Sequence, residues 1–504
     1  MAALLSILLV VGCAGGARSP ARVGGPEAAA EQPIRVTILQ INDVYEIGPV
    51  ANGTRGGLAR VAEARRRLLE DNPNTLTVLA GDFLSPSAVG TAEVDGERLA
   101  GRQMVATLNA MGLDLATIGN HEFDIGEERL RQRLGESQFR WTSSNVTDAD
   151  GEPFLGVSTH EIVRVEGGAG EVVRIGVIGV LTADHGEDWV TYEDPVTAFR
   201  REAAKIADRV DVLIGLTHLS LHEDQLLAES LPEIDLILGG HEHENYLVRR
   251  GPSQTPIAKA DANAKSVWIH RLTWESESRE LEIDSEYLPI TDAIPEEPAT
   301  ATVVADWTER AFDGFRDLGF APQALVALVD EDLDGLESSV RNRTTNLSRL
   351  ITAAMVREAA GAELAILNSG SIRIDDKIEA GPVTQYDVIR VLPYGGPVYS
   401  TEIRGTLLER ALDQGLANRG TGGFLQTSDN VTRDATGAWT ISGEPIDPAR
   451  TYRAAMSDYL AQGREVNLGF LDAAAGNPDF RHVDTHRDVR QAVIAELEAR
   501  YPVD

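Results

Sequence analysis

The feature that most constrains this chain is a series of short apolar, β-branched runs, each stopping at a polar residue able to hold a cation. "IRVTILQI" ends at Asn42-Asp43, "TLTVLAGD" at Asp82, and "LDLATIGN" at Asn120, with His121 next. "VDVLIGLTH" ends at His218 and "IDLILGGHEH" at His241 and His243. Stretches such as "GGLARVAEARRRLLE" lie between them, with apolar residues at helical spacing. "VRIGVIGV" adds a strand, and "SVWIHRLTW" and "LEIDSEYLPI" add edge or second-sheet strands. This alternation predicts an α/β layered domain. Open α/β sheets carry their sites at the carboxyl ends of their strands, where these polar residues sit.

A chain of 504 residues is long for one core and predicts two or three domains. "TDAIPEEPATATVVADWTERAFDGF" begins with prolines and acids and continues as a helix, so it reads as a linker. A second α/β unit follows, with landmarks "LAILNSGSIR", "YDVIRVLPYGG", "TGGFLQTS" and "YRAAMSDYLAQG". The expected division is 1–33 signal and tether, 34–295 first domain, 296–321 linker helix and 322–504 second domain.

The formal net charge of −33 repels polyanions and argues against nucleic-acid polymers as partners. A small anionic substrate stays compatible with it, because a bound metal inverts the local field. The single cysteine, Cys13, excludes an intramolecular disulfide. It follows "LLSILLVVG", too short to span a bilayer, and precedes a Gly/Ala/Pro-rich tether. This resembles a bacterial lipoprotein signal with lipid on the Cys13 sulfur, although no Lys or Arg precedes the apolar run. An ordinary secretory signal is the alternative. Either predicts an exported protein, periplasmic or on the outer surface, touching membrane only through the lipid.

Asp43, Asp82, Asn120, His218, His241 and His243 offer carboxylate, amide oxygen and imidazole, suitable ligands for Zn, Mn, Fe or Co. A lone histidine at a strand end is more often a surface residue. The same chemistry at five strand ends predicts a metal site. In "GGHEH" the glycines permit a tight turn, and a strictly extended strand would point His241 and His243 the same way.

"QINDVYEI", "AGDFLSPS", "GNHEFD", "THLS" and "GGHEH" resemble the calcineurin-like metallophosphoesterase pattern. "NSGSIR", "LPYGGPV", "GGFLQTS" and "MSDYLAQG" resemble the C-terminal domain of the bacterial 5'-nucleotidases and UDP-sugar hydrolases. The resemblance implies a layered β-sandwich phosphoesterase domain flanked by helices, a linker helix and an α/β substrate-binding domain that swings to deliver substrate. It implies that Asp82 bridges two metals. Asp43 and His243 would complete the first site, and Asn120, His218 and His241 the second. His121 would face the phosphoryl group as proton donor or charge stabiliser, oriented by Asp124, with Glu122 and Phe123 structural. The implied reaction is hydrolysis of nucleoside 5'-phosphates, nucleotide sugars, or di- and triphosphates by a water activated by two divalent ions (Zn, Mn, Co or Fe). A 2',3'-cyclic nucleotide phosphodiesterase, a sulfur-ester hydrolase and a non-catalytic nucleotide-binding protein are the alternatives.

Two departures qualify these implications. Where the family has a histidine ligand two residues after the first aspartate, this chain has Tyr45. It is open as a phenolate ligand to iron, as a hydroxyl beside the ligands (the preferred reading), or as the mark of a weakened first site. In the second domain, Tyr394 and Phe470 match the aromatics that sandwich a base, Arg341 and Arg373 match arginines that grip the phosphate side, and Asn368 matches a base contact. "GREVN" stands where many relatives have "GGDG", and Thr344 where many have an acid. Both bear on base recognition, Phe470 most of all.

Overall fold

The computed structural model describes residues 32–168, 170–183 and 187–503. The signal-like segment, with Cys13, lies outside the described residues. Among the described residues no helix is long and apolar enough to cross a membrane.

Two sheets build the first domain. One runs in the order Val157–Ser158, Arg140–Thr142, Leu115–Thr117, Thr75–Ala80, Ile34–Ile41, Ser266–Glu275, Glu280–Pro289. The other runs Glu161–Glu166, Val172–Leu181, Val212–His218, Leu236–Gly239, Thr255–Lys259, Tyr246–Arg250. The period of two in "IRVTILQI" explains why it is apolar on both faces. Ile34, Val36 and Ile38 meet Val177, Ile214 and Leu238 of the facing sheet. Leu39 and Ile41 pack outward against helix residues such as Leu58, Val61 and Met104. The outer face of the second sheet is covered by Phe199 and Leu227 of its own helices. The result is a helix–sheet–sheet–helix sandwich, in which each buried aliphatic contributes about 1.5–3 kcal/mol. "SVWIHRLTW" lies inside its sheet, antiparallel to both neighbours, and "LEIDSEYLPI" forms the edge.

A polar chain stitches the two sheets. Gln40 Nε2 donates to Gly239 O (3.0 Å) and Ala258 O (2.9 Å) of the second sheet. Its Oε1 therefore accepts from His270 Nε2 (3.0 Å), and His270 Nδ1 accepts from the Ser285 hydroxyl (2.8 Å). Burial lowers the pKa of His270 to about 3 and keeps this imidazole neutral.

Parallel registers set the strand ends side by side. Ile41 pairs with Leu79 and Ala80 with Thr117; across the sandwich, Leu181 pairs with His218 and Thr217 with Gly239. The linker helix spans Pro298–Asp317, with Pro298 in its first turn and the Glu297 carboxylate capping Ala299 N and Thr300 N. Trp307 packs against the cores of both domains. The second domain has a five-stranded sheet, Leu425–Thr427, Leu364–Asn368, Thr451–Ser457, Pro397–Arg404, Phe480–Asp488, flanked by helices that include Asn346–Glu358 and Val489–Arg500. Tyr386 Oη donates to Glu46 Oε2 (2.7 Å), Arg390 lies 3.6 Å from Glu46, and Lys265 lies 3.5 Å from Asp376, so the two domains meet through buried and half-buried polar contacts.

Candidate metal centre

Three of the predicted ligands leave their strands in a left-handed backbone conformation: Asp43 (φ 51°), Asp82 (φ 56°) and His241 (φ 80°). Such positions cost of order 1–3 kcal/mol each and persist only where the surroundings impose them. Glu122 imposes one of them. Its buried carboxylate accepts from the N–H groups of Asp82 (2.9 Å), Phe83 (2.7 Å), Leu84 (3.0 Å) and Gly119 (2.6 Å). Burial, with Asp82 nearby, raises its pKa to about 7. Close approach also demands glycine at two positions. A Cβ on Gly119 would lie 2.2 Å from Asp82 Oδ1, and one on Gly240 2.1 Å from Ala80 O.

Each aspartate has one oxygen held and one presented. Asp82 Oδ1 accepts from His121 N (2.9 Å), leaving Oδ2 3.1 Å from His218 Nε2 and 3.4 Å from Tyr45 Oη. Asp43 Oδ2 accepts from His241 N (2.9 Å) and Asn42 Nδ2 (2.8 Å), leaving Oδ1 3.5 Å from His243 Nε2 and 3.4 Å from Tyr45 Oη. Ligand atoms of Asp43, Asp82 and His218 lie within 4.8 Å of one another. His218 supplies the chemical test of fit. Its Nδ1 donates to Ala80 O (2.8 Å), so in the neutral ring the Nε2 lone pair faces Asp82 Oδ2 and Asn120 Oδ1, both 3.1 Å away. Three acceptors cannot face one another without a cation between them. Burial lowers the pKa of His218, but Asp82 and Asp43 outweigh it and raise it to about 9, so this pocket favours positive charge. The donor set equally fits a divalent cation.

His241 stacks edge-on to His218 with ring centroids 5.3 Å apart, and burial beside that histidine lowers its pKa to about 3. His243 turns the other way, with Nε2 3.0 Å from Tyr45 Oη. The two histidines of "GGHEH" thus do not share a direction as an extended strand would require. The strand ends at Gly239, and the left-handed turn at His241 separates them. Tyr45 is buried with its hydroxyl between Asp43, Asp82 and His243; burial and the two carboxylates push its phenol well above its ordinary value. His121 Nδ1 lies 2.8 Å from Asp124 Oδ2. Burial alone would favour the neutral ring, but Asp82 and Asp124 hold the His121 pKa above its usual value.

The second domain reaches into this centre. Arg373 is held beside Tyr394 and Asp124, and its buried Nε has no hydrogen-bond partner among the described residues. Arg341 is ion-paired to Glu337. Tyr394 is 46% exposed, with its hydroxyl 3.4 Å from Ser85 Oγ. Asn368 and Phe470 are engaged within the second domain itself. Asn368 Nδ2 donates to Glu465 Oε2 (2.8 Å), Glu465 being part of "GREVN", and its Oδ1 accepts from Ser371 Oγ (2.8 Å). Phe470 packs against the second-domain core, and the Arg410 guanidinium lies 3.9 Å over its ring.

Three contributors escaped sequence reasoning. Asp375 hydrogen-bonds His243 Nδ1 from the second domain and lies two residues beyond the singled-out Arg373. Lys259, fully buried, donates to Leu219 O (2.6 Å) and Gly240 O (2.7 Å), pairs with Asp224 (3.0 Å) and also bonds Glu242, so it holds the backbone next to His218 and His241. A lysine ending an apolar strand was the available signal. Tyr459, 41% exposed, feels the charges of Arg373 and Asp124; it sits in "MSDYLAQG", a motif read there without its aromatic.

Comparison with known proteins gives two family matches, Calcineurin-like phosphoesterase over residues 36–245 and 5'-nucleotidase, C-terminal domain, over residues 326–471. Protein UshA of Yersinia enterocolitica is 27% identical over 511 residues, covering 87% of this chain and 89% of its own. The 5'-nucleotidase of Bos taurus is 25% identical over 565 residues, covering 97% and 94%. The crystal structure of a 5'-nucleotidase precursor from Thermus thermophilus superposes with a TM-score of 0.72 at 26% identity, covering 94% of this chain and 97% of that one.

Proposed function

We propose, from the premise that the chain belongs to the 5'-nucleotidase family of hydrolases, that it removes the phosphate of nucleoside 5'-phosphates. The observation that carries this reading is the meeting of two chemistries at one place. A cluster of Asp43, Asp82 and His218, with Asn120 and His241 against His218 and His243 against Asp43, adjoins a His121–Asp124 pair, and Arg373 is brought there by the other domain.

Two divalent ions, when bound, supply charge neutralisation and activation of the attacking water. Asp82 would be held in common by the two ions, Asp43 and His243 would complete one site, and Asn120, His218 and His241 would complete the other. Tyr45 is a hydroxyl beside the ligands of the first ion, since its oxygen sits among Asp43, Asp82 and His243. His121 gives its Nε2 proton to the leaving oxygen, while Asp124 holds Nδ1 and favours the protonated ring. Arg373 grips phosphoryl oxygens, for which a guanidinium fork is suited. Tyr394 offers an aromatic face to the base. The apolar leader ending at Cys13 supports an exported, lipid-anchored protein, and labelled palmitate incorporation lost in Cys13→Ser tests that part.

The test is a substrate panel on protein reconstituted with Zn, Mn, Co or Fe. AMP should release orthophosphate, with 2',3'-cyclic AMP and sulfate esters far slower. Nucleotide binding without phosphate release from fully metallated protein would overturn the reading.

A further inference from the structure

Away from the metal centre, a recess of about 240 Å³ opens between the helices Arg102–Met111 and Glu127–Glu136 and the hairpin Glu93–Arg98. Four arginines line it, Arg98, Arg102, Arg129 and Arg133, against two acids, Glu97 and Glu136. This is unusual in a chain with 79 acidic and 46 basic residues, where an ordinary solvated helix face would pair its guanidinia with surplus carboxylates. Arg98, Arg102 and Arg129 make no ion pair among the described residues; Arg102 instead lies 5.5 Å over the Trp307 ring. Arg133 is 4% exposed. Its Nη1 donates to Leu99 O (2.8 Å) and Nη2 to Glu136 Oε1 (2.9 Å), but its buried Nε has no partner among the described residues. Burial and the like charges of Arg102 and Arg129 push its pKa down, although Glu136 pulls the other way.

Helical spacing gathers these groups. Arg129, Arg133 and Glu136 stand at i, i+4 and i+7 on one helix face. Arg102 opens the neighbouring helix, whose cap Gly101 brings no side-chain acceptor, so the positive helix end adds to the field. Like charges held together at this density repel one another unless an anion enters between them.

We propose that this recess is a binding site for a small oligophosphate, distinct from the metal centre. Guanidinium forks match phosphoryl oxygens bidentately. The volume falls below the roughly 300–1,000 Å³ of drug-sized ligand pockets, so it suits a pyrophosphate or triphosphate group rather than a whole nucleotide. A nucleotide could still insert its phosphate chain alone. Because Arg102 lies over Trp307 of the linker helix, an occupant would be felt where the two domains join.

The test is calorimetric titration of the metal-depleted full chain with sodium tripolyphosphate in low salt. Saturable binding of about one equivalent, weakening as salt rises, is expected. Arg102→Gln with Arg129→Gln should weaken it by about tenfold or more and leave AMP turnover unchanged, while Asp82→Asn should leave the binding intact. Arg98→Gln should weaken binding too. A non-hydrolysable ATP analogue binding as tightly as tripolyphosphate identifies the phosphate chain as what is read; tighter binding identifies a nucleotide source. No saturable binding, or binding lost in Asp82→Asn and kept in the arginine variants, would overturn the proposal. Neither result depends on whether AMP is hydrolysed.

Discussion

The candidate metal face of the first domain and the proposed substrate face of the second are built on different principles. In the first, short side chains sit immediately beyond parallel strands, and backbone N–H groups fix them: His121 N on Asp82, His241 N on Asp43. In the second, long side chains such as Arg341, Arg373 and Tyr394 come from loops and short helices, and other side chains decide where they point. The first face is rigid by construction. The second can be re-aimed by a few substitutions, as "GREVN" shows by placing Glu465 on Asn368.

If that contrast holds, damage to the first face should be severe and local. Asp82→Asn removes the carboxylate that faces both His218 and Tyr45, and turnover should fall by about 10⁴-fold or more with loss of bound metal, read by elemental analysis. His121→Ala should cost about 10²–10⁴-fold in kcat with metal content unchanged. Metal loss in this variant would make His121 a ligand and break the division of roles. The frame behind the ligands should be acid-sensitive through His270. Its pKa is about 3 in the fold against 6.5 as a free imidazole, so the unfolded chain binds a proton first as pH falls. Stability from this group is complete above about pH 6.5 and declines toward pH 3, by about 5 kcal/mol at full extent. Denaturant unfolding of His270→Gln should show a flatter slope over that window.

The same contrast explains what the sequence disclosed. A strand that ends in Asp or His beside a parallel neighbour has almost no freedom, so their places at strand ends were enough to bring Asp43, Asp82, Asn120 and His218 together. The two-layer sandwich was legible because "IRVTILQI" is apolar on both faces. Directions after a turn were not. The left-handed backbone of His241 parts it from His243, and nothing in "GGHEH" specifies that angle. Contacts between domains were illegible altogether, since Asp375 meets His243 across a separation of 132 residues. Asp375→Asn therefore probes the seam. It removes the carboxylate that orients the His243 ring, and metal affinity at that site should drop by about 10–100-fold while secondary structure is retained. Partial rescue by Asp375→Glu would separate orientation from simple packing.

The smallest effect expected, and the sharpest comparison, lies between two aromatics that share one motif-level reading. Tyr394 is 46% exposed beside Arg373, whereas Phe470 is half-buried against the second-domain core under the Arg410 guanidinium. Base–aromatic stacking is worth about 1–3 kcal/mol, so Tyr394→Ala should raise KM for AMP by about 5–10-fold or more with little change in kcat. Phe470→Ala should leave KM nearly unchanged and instead lower the unfolding midpoint, because it removes core contacts and a cation–π partner. If Phe470→Ala moves KM as far as Tyr394→Ala does, then Arg410 and Glu465 must give way when substrate enters, and the second face is more mobile than its packing implies. If neither moves KM, Tyr459 becomes the residue to replace, since it is an exposed ring in reach of the charges on Arg373 and Asp124.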